Sequence, residues 1–484
     1  MLGSVAEGAA GTRPLDVMRD SVERLPAILV GAALVALALA AYWLPGSDRI
    51  YNHFVWQALA FLDGRAAIDW PVPGFPEGND WMQDVYPLRE LNGSPTGALL
   101  PFPPLPAILL MPFVAIWGLA TDIRAVAVVL GAIDVGLAWW ALGRLRVSRW
   151  VRIATTIFFG FGTVFWYAAQ LGTTWFFAHV AAVTFLLLAV GVALGADPDA
   201  DSEVEEAPGP ARLVRTGLAQ LRRPLELIDG RQFLAGLLFG IACTARLTVV
   251  FGAPFFMLVG GGGSWVRRSA SAGLGAAIPV ALLLGYNLAT TGHVLHPGYE
   301  YQYEKEASGY QVLDYNPEWS IEDPRYLPQN LEIFLLSTPA LLPDRELSVF
   351  GEEGDALCAG PNAQRGPFDA ACPIAVPRAT GMSILLTSPA YVLAGWALFR
   401  HRSRLVAGAW LAILMIALVN LMHFSQGWVN FGYRFSNDFV VFALPLVAVG
   451  MSRRGGVGLL GVVLIGASVA INLWGVIWGN ILGW

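Results

Sequence analysis

The chain has 484 residues, 56% of them apolar and 14% charged, with a formal net charge of −6. Several apolar runs exceed the roughly 20 residues that cross a bilayer, which excludes a soluble globular protein and points to a polytopic α-helical membrane protein. Where the charges fall matters more than their sum, and no nucleic-acid partner is expected.

Residues 1–25 carry Arg13, Arg19 and Arg24 ahead of the first apolar run and have no convincing small-residue cleavage site after it. They are expected to be a cytoplasmic segment before a retained span. Spans follow at about 26–45, 124–143, 152–171, 174–195, 231–245, 247–261, 269–291, 380–399, 404–423, 438–452 and 456–479. That is an all-α membrane protein of about 11 transmembrane helices. The arginine clusters set its orientation. With the N-terminus inside, Arg144–Arg152, Arg212–Arg231, Arg267–Arg268, Arg400–Arg404 and Arg453–Arg454 all fall on the cytoplasmic side. The run 101–118 holds five prolines and would invert every later loop if it crossed. It therefore reads as a re-entrant or juxtamembrane helix on the outer side. The short runs 231–245 and 247–261 form a hairpin broken around Arg246; broken spans are tolerated where they line a cavity.

Two large outer loops result, 46–123 and 292–379. A transmembrane module over 26–291 and C-terminal helices over 380–484 flank the second. The first loop opens with GSDRIYNHFVWQALAFLDGR. Tyr51, Phe54, Val55, Ala58, Leu59 and Leu62 fall on one helical face, which predicts an amphipathic helix over 50–62 lying in the membrane interface. Asp48 stands directly before it. The same Ser-Asp-Arg stretch also reads as a helix N-cap, a role compatible with chemistry. Asp80 and Asp84 further along the loop are a possible second acid, an acceptor contact or a cation site, or else solvated carboxylates. Asp63 pairs with Arg65 or caps the helix end, and Asp134 lies inside a span, toward its inner half.

His179, near the outer end of its span, is either a packing residue or a ligand contact. His293, His296, Tyr299 and Glu300 open the second outer loop, and His423 and Gln426 close a later span; each group either meets an acceptor or caps a helix. Cys358 and Cys372 share the second outer loop, on an oxidising side, so a disulfide between them is expected; Cys243 is a packing residue. No CxxC or HExxH spacing occurs in the chain, and no GxGxxG or P-loop is expected in a strand–helix context. No metal site is assigned, and a divalent cation is left open.

Taken in order, Asp48, Tyr51, FLDGR, FPPLPAILLMPFVAIWG, Arg124 and GRLRVSRW resemble the C-type membrane glycosyltransferase superfamily (GT-C). The resemblance is to the branch of protein O-mannosyltransferases and lipid A aminoarabinose transferases, and it covers roughly residues 26–261. GYRFSNDF, with Tyr433 and Arg434, resembles an arginine-bearing segment of related bacterial transferases. The chain departs from the branch around its Pro-Pro pair, where Leu100-Pro101-Phe102 and Leu105-Pro106 offer no lysine. An arginine therefore has to serve the donor phosphate.

The resemblance implies an inverting glycosyltransferase of the cytoplasmic membrane with its active site on the outer face. It would move a hexosyl or pentosyl group from a polyprenyl-phosphate donor to a cell-envelope glycan, lipid or protein, with no further cofactor. Asp48 is the expected base, and Arg124, Arg246 and Arg434 the expected phosphate ligands, because guanidinium suits bidentate phosphate contact. Asp80, Asp84, His179 and Tyr433 are expected near the acceptor or as a second acid. The alternative for each arginine is snorkelling to the interface or pairing with a neighbouring acid, which for Arg434 would be Asp438, one turn on. Two other classes stay open: a transporter or flippase of lipid-linked sugars, which would show repeated halves that this chain lacks, and a non-catalytic membrane scaffold.

Overall fold

The computed structural model describes residues 25–44, 51–70, 84–90, 95–202, 228–309, 318–347, 354–427, 429–453 and 456–484. Five helices are long and apolar enough to cross a membrane: α4 (Ile123–Leu142), α7 (Thr174–Ala196), α10 (Trp265–Thr291), α15 (Arg404–Met422) and α17 (Leu459–Ile481). The pair α5 (Arg149–Phe161) and α6 (Phe165–Leu171), bent by 51°, makes a sixth if it is one span. The further expected spans correspond to shorter helices. These are α1 (Ala27–Trp43), α8 (Gly230–Cys243), α9 (Ala253–Leu258), α14 (Val392–Arg400) and α16 (Val440–Met451).

Local sequence explains the starts of these helices. Asp122, Ser148, Asp229, Ser264 and Ser403 each accept a first-turn N–H of α4, α5, α8, α10 and α15. The expected span 380–399 is instead three pieces: α13 (Ile384–Thr387), a 3₁₀ turn Pro389–Tyr391, and α14. Pro389 forces the break, since the residue before a proline is driven out of the helical region. The freed backbone groups are met by α17. Asn472 Nδ2 donates to the Thr387 carbonyl at 2.8 Å, and Ser468 Oγ accepts from the Ala390 N–H at 3.1 Å. Small residues let α8 lie directly on α10: a Cβ on Gly236 would sit 2.1 Å from the Ala272 carbonyl oxygen.

α7 is the central helix, its apolar stretch mostly buried, whereas only about a third of that stretch is buried in α10 and α17. α4, α6, α8 and α16 pack around it, and all twelve residues of α16 are buried. A second apolar cluster joins α7 and α4 to the first long loop. Phe54, Val55 and Ala58 of α2 (His53–Leu62) meet Ala107, Leu110 and Val114 of α3 (Leu105–Trp117), and both meet Phe177. At 13 residues α3 is only about 20 Å long, too short to cross and consistent with a juxtamembrane helix. A two-stranded antiparallel hairpin, β1 (Tyr86–Arg89) with β2 (Pro95–Leu99), completes this loop. In the second loop a further antiparallel pair joins β3 (Ala340–Leu341) to β4 (Ala375–Val376).

α2 differs from the expected interfacial helix. Its polar residues His53 and Gln57 are as buried as Phe54 and Val55. The His53 N–H donates to Thr174 Oγ1 at 3.1 Å, and Gln57 Nε2 donates to the Tyr286 hydroxyl at 3.5 Å. The partners of this polar face lie over 100 residues away in the chain, so local periodicity does not reveal its burial. That Thr174 contact also serves the first-turn donor that a preceding cap residue would otherwise meet.

The helix junctions sort to two ends. At one end Arg149 reaches the Leu25 carbonyl, Arg146 meets Asp199, and Arg404 meets Asp197. At the other end both long loops, the Arg246 break and the start of α16 gather. The grouping places Arg124, Arg246 and Arg434 away from the arginine-rich turns.

Candidate active site

Asp438 ends a 3₁₀ turn, Arg434–Asp438, that leads into α16. Its carboxylate has no solvent exposure. An isolated charge there would cost several kcal/mol, and the surrounding donors offset that cost. Arg246 donates from Nε at 3.2 Å and from Nη2 at 3.0 Å, Thr248 Oγ1 at 2.7 Å, Asn420 Nδ2 at 3.2 Å, and His179 Nδ1 approaches to 2.9 Å. Four separate elements meet at this one side chain. α8 stops at Cys243, Arg246 adopts an extended backbone, and a 3₁₀ helix Leu247–Gly252 resumes the path. The break carries Arg246 and Thr248 to Asp438.

His179 lies about 8 Å along α7 from Thr174 and is 1% exposed. Because the carboxylate can only accept, Nδ1 carries the proton and Nε2 is left with its lone pair. Nε2 is buried and has no hydrogen-bond partner among the described residues. Phe435 lies between two cations: the Arg246 guanidinium stands 5.4 Å from its ring centroid and that of Arg434 5.0 Å. Arg434 is admitted by Gly427, whose φ is +106° and whose missing Cβ would stand 2.6 Å from Arg434 Nε.

Both long loops close on this cluster. In the first, the indole of Trp175 donates to Asp84 Oδ2 at 2.6 Å, Tyr51 lies against the same ring, and the Tyr51 carbonyl accepts from the Thr174 N–H at 3.1 Å. In the second, Tyr299 of α11 (Gly298–Gly309) lies edge-on to Phe102, with ring centroids 6.3 Å apart. Burial pushes its phenol up to about 12; the Arg246 charge opposes that rise, while Glu322 and Asp84 add to it. Asp84, Tyr299 and Arg246 therefore share one electrostatic environment. His53 and His296 flank it, and burial holds their imidazoles down at about 3 and about 4.

The structure thus brings together Arg246, Arg434, His179 and Asp84 of the residues singled out from sequence. Asp48 and Asp80 lie outside the described residues. Arg124 stands apart from the Asp438 pair: its Nε donates to the Gln170 carbonyl at 3.0 Å and its Nη2 to the carbonyls of Tyr42 and Trp43 at 3.3 and 3.0 Å. It binds the ends of α1 and α6. Tyr433 is 1% exposed and packs on Phe334. Cys358 and Cys372 form a disulfide. Among the described residues no cluster of three or more His, Cys, Asp or Glu side chains could hold a metal ion. Asp438 is paired with Arg246, 192 residues away in the chain. The available signal was an acid at the mouth of an apolar run, which in a membrane is functional by default.

No protein-family model matches the chain, and no curated protein does. Among solved structures the chain is similar to the Archaeoglobus fulgidus oligosaccharyltransferase in its apo form, at 10% sequence identity and a TM-score of 0.38. The match covers 95% of this chain and 56% of that one, so the chain spans little more than half the length of that protein.

Proposed function

We propose that the chain is a membrane glycosyltransferase that takes a sugar from a polyprenyl-phosphate donor. The observation that carries this reading is the pair of guanidiniums, Arg246 and Arg434, on the ring of Phe435. Asp438 holds one of them in place from its buried side, and Arg246 keeps 21% of its side chain exposed. One arginine at a break in an apolar hairpin and one in the turn before α16, beside the two long loops, suit a lipid phosphate whose tail stays in the membrane. Asp438 balances the charge of Arg246, and Arg434 brings a second guanidinium to the same ring. Arg124 keeps the carbonyl-binding role described above.

In this reading the Asp48 carboxylate takes the proton of the acceptor hydroxyl. The acceptor oxygen bonds to the anomeric carbon as the bond from that carbon to the phosphate oxygen breaks. The electron pair leaves with the polyprenyl phosphate, and the arginines stabilise its charge. Inversion at the anomeric centre follows from a single displacement. The extracytoplasmic face and a cell-envelope acceptor belong to the same proposal and rest on the arginine distribution. The test is transfer of labelled sugar from a panel of polyprenyl-phosphate sugars by protein in membrane vesicles. Arg434→Gln is expected to lower the rate by about 100-fold, the loss of one preorganised charge contact. A variant as fast as the wild type would remove Arg434 from the site.

A further inference from the structure

Beside the arginine pair lies an open cleft of about 510 Å³ between α12 (Leu327–Leu336) and the segment after α15. Its walls include Glu332, Thr338, Arg378, Phe424, Gln426 and Gly427. That volume is within the usual range for a small-molecule site. We infer that this cleft receives the sugar of the lipid-phosphate donor, an inference that rests on the function proposed above.

Gln426 supplies the main reason. It is 4% exposed, and its amide nitrogen donates to the carbonyls of Asn420 at 2.9 Å and His423 at 3.3 Å. Those two contacts fix the orientation of the amide and leave Oε1 as an acceptor. Oε1 is buried on the cleft wall with no partner among the described residues. A buried acceptor of this kind calls for a donor from outside, and a sugar hydroxyl is one. Charge points the same way. The cleft wall carries one acid, Glu332, and one base, Arg378, so its formal charge is zero and it favours a neutral, hydroxyl-bearing group over a second anion. Arg378 is fixed by its own donation to the Thr338 carbonyl at 2.8 Å.

The cleft also connects to the proposed phosphate site by two short routes. Gly427 is on its wall and presses on Arg434. Gln426 holds the backbone of Asn420, whose side chain donates to Asp438. A phosphate at Arg246 and Arg434 would therefore place an attached sugar toward Gln426.

The test uses full-length protein in nanodiscs. Binding of farnesyl phosphate is compared with binding of farnesyl phosphates carrying glucose, mannose, galactose or arabinofuranose. The wild type is expected to bind at least one sugar-bearing lipid about 10-fold more tightly than bare farnesyl phosphate. Gln426→Leu removes the acceptor, and Thr338→Trp fills the cleft from an exposed wall position without touching the Gln426 contacts. In both variants the ratio of the two affinities is expected to fall to about one. A ratio that stays near 10 in Thr338→Trp overturns the inference, as does a wild type that binds farnesyl phosphate yet prefers none of the four sugars. If no lipid phosphate binds at all, the donor reading itself falls, and the cleft's assignment falls with it.

Discussion

Arg246→Leu removes the charged partner of a carboxylate that has no solvent exposure. The variant loses the Nε and Nη2 bonds at 3.2 and 3.0 Å and with them the guanidinium charge paired with Asp438. Thr248, Asn420 and His179 still donate, so the carboxylate is not stripped bare. Breaking a buried pair from one side costs about 3–5 kcal/mol, and the surviving donors place this case near 3. Arg246→Lys keeps a charge but cannot span both oxygens, and is expected to cost about half as much. Adding Asp438→Asn to Arg246→Leu removes the stranded charge and is expected to recover about 1.5–2 kcal/mol. Thermal unfolding in detergent, read by intrinsic tryptophan fluorescence, compares the variants. Arg246→Leu is expected to lower Tm by roughly 5 °C, with partial recovery in the double variant. Additive losses in the double variant would refute the claim that Asp438 is held by Arg246.

Two further expectations concern the loops. His53 is held neutral by burial, at about 3 against an ordinary 6.5. Its unfolded form therefore binds a proton that the folded form refuses, and stability falls as pH drops below 6.5 and continues to fall toward 3. At pH 5.5 the loss is about 1.4 kcal/mol relative to neutral pH. Tm measured against pH should show a shallower acid slope in His53→Gln than in the wild type; equal slopes would rule the histidine out as the cause. The Cys358–Cys372 bond closes a span of 14 residues, worth about 3 kcal/mol in chain entropy. Cys358→Ser is expected to open the 340–376 region to limited proteolysis while hydrogen exchange in α7 and α16 stays protected, and unchanged cleavage would refute that local role.

The parts of this molecule legible in the sequence are those that act over short spacings. Apolar runs located α4, α7, α10, α15 and α17, because length and composition decide where such helices lie; α4, α10 and α15 also begin at a capping aspartate or serine. Arg246 stood out because a charge interrupting an apolar run is costly wherever it lies. Three things were not legible, each for a long-range reason. The burial of His53 and Gln57 depends on Thr174 and Tyr286. The three-piece break at Pro389 depends on Asn472 and Ser468 of α17 to satisfy it. The pairing of Asp438 with Arg246 depends on where the hairpin break places Arg246. None of these leaves a trace in local periodicity.

The central claim is group transfer from a lipid phosphate with Asp48 as the base. Mass spectrometry of the lipid products, with a panel of polyprenyl-phosphate sugars, measures it most directly. The account predicts one polyprenyl phosphate released per sugar transferred, at a rate lowered by about 100-fold or more in Asp48→Asn. Release as fast in Asp48→Asn as in the wild type, or no release from any donor in the panel, would contradict it.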